Sequence, residues 1–99
     1  MIRGTTPTHT FNTDVSLTGA TAVYVTYRQG DDVIINKQRS DMTITSTSVT
    51  VSLTQAETLQ LKADQDVQIQ LRAKMSDGTA VASNIMSVPV EDVLKEGVI

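Results

Sequence analysis

Between Val49 and Ala82 the chain alternates with period two, on either side of a short helix signal, and this pattern leaves few folds open. Val49, Val51 and Leu53 alternate with Thr50 and Ser52. Thr54-Gln55-Ala56-Glu57 then has capping-box spacing, in which the Thr hydroxyl and the Glu carboxylate each accept from the other residue's backbone N–H. Val67, Ile69, Leu71 and Ala73 alternate with Gln68, Gln70, Arg72 and Lys74, and Asp77-Gly78 turns the chain back. A residue period of two places one set of side chains on each sheet face, so each strand has one buried face. The expectation is a small antiparallel β domain.

The rest of the chain extends the pattern. Thr8 to Asn12 reads as a first strand after Pro7, whose missing N–H is tolerated at a strand start. Ala20 to Gln29 reads as a second, with Val23, Val25 and Tyr27 on one face and Ala22, Tyr24 and Thr26 on the other. Gly30-Asp31-Asp32 is a turn signal, and Val33 to Lys37 returns as the hairpin partner. Met42 to Thr45, Val49 to Leu53, Val67 to Met75 and Thr79 to Ala82 follow, with a capped helical turn over Gln55 to Leu59. Ser83 to Val90 reads as extended, and Pro89 marks an edge or a strand end. Residues 91–99 form a mixed tail, with one helical turn ended by Gly97 as an expectation. Seven or eight short strands with one capped turn fit an all-β, immunoglobulin-like antiparallel sandwich over residues 1–99 better than a barrel. The capped turn falls where such folds cross between sheets.

Composition bounds the function classes. Ninety-nine residues make one domain with a modest core, for which a stability of roughly 5–10 kcal/mol is expected. There is no Cys, so no disulfide framework, zinc knuckle or thiol nucleophile, and the chain leans towards a reducing cytoplasm. The first seven residues lack the apolar run of a signal peptide, and no stretch approaches the ~18 apolar residues of a membrane span. A net charge of −3 with interspersed signs argues against nucleic acid as a partner. Phe11, Tyr24 and Tyr27 are the only aromatic residues, a poor supply for sugar or base platforms.

Candidate chemistry is sparse. His9 is the only His, and it lies between Thr8 and Thr10 with the expectation of a surface strand residue. Asp31-Asp32 and Asp64-Gln65-Asp66 read as solvated turn carboxylates, because calcium wants six to eight oxygen ligands on a longer acidic loop. Thr43, Thr45 and Thr47 form a short T-x-T-x-T row that reads as the exposed face of a β-branched strand. Ser76 lies in the Asp77-Gly78 turn without the G-x-S-x-G surroundings of a hydrolase nucleophile. No catalytic, cofactor or metal residues are assigned, and the chain is expected to be no enzyme. In the tail, Val93, Leu94, Val98 and Ile99 are four large apolar groups in a charged segment. They are expected either to cover one end of the sandwich or to dock on another subunit, and they are the candidate assembly contact.

Several segments, in their order, carry a resemblance. They are Arg3-Gly4-Thr5-Thr6-Pro7-Thr8-His9, Leu17-Thr18-Gly19-Ala20, Val25-Thr26-Tyr27-Arg28-Gln29-Gly30 and Leu53-Thr54-Gln55-Ala56-Glu57-Thr58. Val67-Gln68-Ile69-Gln70-Leu71-Arg72, Asp77-Gly78-Thr79 and Val88-Pro89-Val90 complete the set. Together they resemble small phage and prophage tail or baseplate structural proteins, and the pattern is similar to the N-terminal immunoglobulin-like domain of phage baseplate upper proteins. The resemblance implies a virion structural component without an enzymatic site. Its expected partners are other tail or baseplate proteins and further copies of itself. Its expected location is the host cytoplasm during assembly and then the virion. The alternative reading is a small ligand-binding module for host-surface carbohydrate, with Tyr24 and Tyr27 as its platforms. Their spacing of three residues places them on opposite strand faces, which disfavours it.

Overall fold

The structure is a computed structural model that describes all 99 residues. Eight strands form: β1 (Thr8–Asn12), β2 (Ala20–Gln29), β3 (Asp32–Gln38), β4 (Met42–Ile44), β5 (Ser48–Ser52), β6 (Val67–Met75), β7 (Ala80–Ala82) and β8 (Met86–Val88). A helical turn, α1 (Gln55–Thr58), joins β5 to β6, and a 3-10 turn over Arg39–Asp41 joins β3 to β4. The strands make two antiparallel sheets, β1-β5-β4 and β3-β2-β6-β7, with β8 also on β6. In immunoglobulin lettering these are B-E-D and C′-C-F-G. No strand A runs along β1, because the residues before it go elsewhere: Ile2 makes a parallel bridge to Glu91.

The inward positions are those that the alternation marks. Val23, Val25 and Tyr27 of β2 and Val67, Ile69, Leu71 and Ala73 of β6 are all buried. Phe11 of β1 and Val49 and Val51 of β5 meet them from the small sheet. The chain crosses between the sheets three times: through residues 13–19 from β1 to β2, through the 3-10 turn from β3 to β4, and through α1 from β5 to β6. Opposite the β3 and β4 side lie the free edges of β1 and of β7 and β8.

Local chemistry accounts for the joints. Thr54 Oγ1 accepts from Glu57 N at 3.2 Å and Glu57 Oε1 accepts from Thr54 N at 2.9 Å, the reciprocal cap that the spacing requires. The β6–β7 hairpin closes with Thr79 N donating to Asp77 Oδ1 at 2.9 Å while Gly78 takes φ 91°, a conformation glycine adopts without cost. The Thr row does not make a flat face. Thr45 Oγ1 turns back to accept from Thr47 N and Ser48 N, so the row breaks at the β4–β5 turn.

Three sequence expectations change. The extended run Ser83 to Val90 is interrupted: the β6–β7 and β6–β8 registers differ by one residue, and Ser83 Oγ accepts from Leu71 N in place of a backbone carbonyl. The tail forms no helical turn, because its carboxylates are drawn to Arg3. His9 faces inward beside Phe11 and not outward.

Candidate interaction surfaces

At the α1 end the two termini are tied together. Arg3 N donates to Glu91 O at 3.0 Å and Glu91 N to Met1 O at 2.8 Å. The Arg3 side chain makes the larger connection. Its Nε donates to Leu61 O at 2.8 Å and its Nη2 to Leu59 O at 2.9 Å. Its Nη1 pairs with Asp92 Oδ1 at 2.7 Å and with Glu96 Oε1 at 2.5 Å. One planar guanidinium thus joins the N-terminal arm, the end of α1 and the tail, a task that suits its fork of donors. Gly4 (φ 77°) lets the arm pass closely here, since a side chain on it would meet Leu59 Cδ2 at 3.4 Å and Val93 Cγ1 at 3.8 Å.

The four tail residues divide. Val93 is half-buried over the arm. Leu94, Val98 and Ile99 stand in solvent at 108 %, 65 % and 89 % relative exposure. Leu94 and Lys95 form the crest of an arch whose feet, Asp92 and Glu96, both rest on Arg3. The tail therefore covers the sandwich end through one residue and displays the other three.

A slot opens on the free side. It lies between the second half of β1 with the loop that follows and the β7–β8 edge, and its volume is about 510 Å³. Core side chains Phe11, Leu17 and Leu71 and the partly buried Val81 form its floor, and exposed Val15 and Met86 stand at its mouth. Asp14 is its one charged lining residue. The single buried side-chain oxygen without a partner, Thr13 Oγ1, also belongs to its wall. The loop is held in place by Arg39, which donates to the carbonyls of Leu17, Thr18 and Ala20 at 3.2, 2.6 and 2.8 Å.

A polar group bridges the sheets inside the α1 end. His9 Nδ1 lies 2.7 Å from Tyr27 Oη, with the rings 5.6 Å apart. Burial, together with the positive amino terminus, lowers the His9 pKa. Burial and the Glu57 charge hold the Tyr27 phenol protonated. Lys37 Nζ of β3 meets Glu57 Oε1 at 2.7 Å. Burial pushes the Glu57 carboxyl up, but Lys37 and the Thr54 cap outweigh it and the pKa falls. Sequence reasoning missed this group and Arg3. Only the inward phase of His9, two residues before Phe11, signals it.

The remaining candidates stay apart. Tyr24 is exposed on the outer face of the large sheet at 41 %, whereas Tyr27 is fully buried, so no shared platform exists. Asp31, Asp32, Asp64 and Asp66 are exposed in turns and at strand ends. Gln29, buried at 2 %, ties these turns together: its amide donates to Lys62 O and Gln65 O and accepts from Lys62 N. No protein-family model, no curated protein and no solved structure matches this chain.

Proposed function

We propose that the protein is a non-enzymatic structural component of a phage or prophage tail or baseplate and acts through protein–protein contacts. The observation that carries the reading is the apolar arch and tail. Leu94 stands fully in solvent between the two carboxylates that pair with the half-buried Arg3 guanidinium, and Val98 and Ile99 are exposed in the same tail. A monomer gains nothing from an aliphatic side chain so placed, and exposed apolar groups gathered at one end mark contact surfaces. The resemblance of the ordered segments to baseplate domains supplies the setting.

Mass spectrometry of purified particles from an induced host tests the setting. Stoichiometric presence of the chain is the expected result. Its absence from intact particles overturns the virion role.

A further inference from the structure

We propose that Leu94 of one copy seats in the slot between β1 and β7 of a second copy, with Lys95 set against Asp14. This rests on the assembly reading above and names its acceptor. The slot's floor is aliphatic and aromatic, its mouth carries two exposed apolar residues, and its single charge is negative. The arch has the complementary order: an exposed Leu next to a Lys. Neither Asp14 nor Lys95 takes part in any of the three ion pairs within the chain. Charge and apolarity thus match, side by side, on two surfaces without partners.

The contact forms between copies. Leu94 is two positions from each foot of its arch, with one residue between, a reach of about 7 Å. The feet are fixed to Arg3, which is itself fixed to the carbonyls of Leu59 and Leu61 at the α1 end. The slot begins at Thr10 and runs on past the end of β1, and Pro7 to Thr10 alone covers about 10 Å of extended chain. A chain cannot fill its own slot while the clamp holds. Donor and acceptor are different surfaces, so the contact closes either as a reciprocal pair, each arch in the other copy's slot, or head to tail as a ring or a filament.

Cysteine pairs test the geometry cleanly, since the chain has no Cys. Val15→Cys protein is mixed with Lys95→Cys protein and oxidised, which keeps Leu94 intact. The expected product is the mixed dimer in excess over either homodimer. Homodimers alone, or a doubly substituted Val15→Cys/Lys95→Cys chain that closes on itself as a monomer, overturn the proposal. Sedimentation velocity supplies the energetics. Leu94→Asp, at a fully exposed position that folding does not use, weakens association more than tenfold. Asp14→Lys and Lys95→Asp each weaken it about fivefold, and the double reversal restores it. A wild-type chain that stays monomeric at millimolar concentration, a Leu94→Asp variant that associates normally, or a double reversal without recovery each refutes the contact. Particles without the chain remove the virion reading and leave this contact standing. Particles that contain it, without Val15–Lys95 cross-links, do the reverse.

Discussion

Replacing Arg3 by Ala removes the one side chain that holds both termini and α1 together. The loss can be worked from its four partners. The hydrogen bonds to Leu59 O and Leu61 O are partly buried and come from a cation, a type worth about 1.5–3 kcal/mol each. Water can reach part of that end once the side chain is gone, so the lower half of the range applies. The carboxylates of Asp92 and Glu96 are 63 % and 65 % exposed, so solvent screening leaves both ion pairs a minor share of the loss. Urea unfolding is then expected to show a loss of about 3–4 kcal/mol at unchanged m, or roughly 12–30 °C in Tm. Arg3→Lys recovers little of it, because a single ammonium lacks the planar fork that serves four acceptors. In 1 M salt the gap between wild type and Arg3→Ala narrows by no more than the ion-pair share. A variant within 0.5 kcal/mol of wild type would refute the clamp. So would a gap that salt abolishes, since the carbonyl bonds would then carry nothing.

Two further perturbations probe the α1 end. Thr54→Ala removes the hydroxyl that accepts from Glu57 N and is expected to cost about 1 kcal/mol by chemical denaturation; a neutral substitution would mean the cap is not used. For His9 the sign follows from its lowered folded-state pKa: the unfolded chain binds a proton near pH 6.5, before the folded one does, so stability is full above that pH and falls as acid approaches the folded value. Denaturation midpoints between pH 7.5 and 5.5 should decline for wild type and stay level for His9→Gln; equal slopes would rule His9 out as the source.

What the sequence makes legible here is what repeats. Alternation marks the buried faces of β2, β5 and β6, and the Thr54–Glu57 spacing marks α1, because period and spacing are local consequences of backbone geometry. The surfaces depend on single polar side chains that act over long separations. Arg3 meets carbonyls 56 and 58 residues away, and Gln29 meets Lys62 across 33. A satisfied buried Gln or a clamping Arg looks, in sequence, like any solvated polar residue. The tail shows both limits. Its apolar content marks Val93, Leu94, Val98 and Ile99, but it does not say that Val93 packs over Gly4 while Leu94 stands in solvent.

The state of the sheet edges decides what kind of partner the slot can take. A free edge invites strand addition when it offers a long row of unpaired backbone groups. On β1 the ladder to β5 continues through Pro7 O and Thr13 N, so the odd-numbered residues face β5 and only Thr8, Thr10 and Asn12 turn their backbone outward. The facing edge is shorter still. β7 and β8 have three residues each, and between them the Ser83 carbonyl accepts from Gln70 Nε2 and its hydroxyl oxygen accepts from Leu71 N. Thr8 and Thr10 also spend their hydroxyls on Ser52 and Thr50 across the outer face. Neither edge therefore carries the continuous ladder that a strand from another chain needs. The floor between them is built from Phe11, Leu17, Leu71 and Val81, a surface that rewards an aliphatic side chain and not a backbone. A single aliphatic side chain such as Leu94 needs no such ladder, and the same broken edges that blunt indiscriminate strand pairing leave room for it.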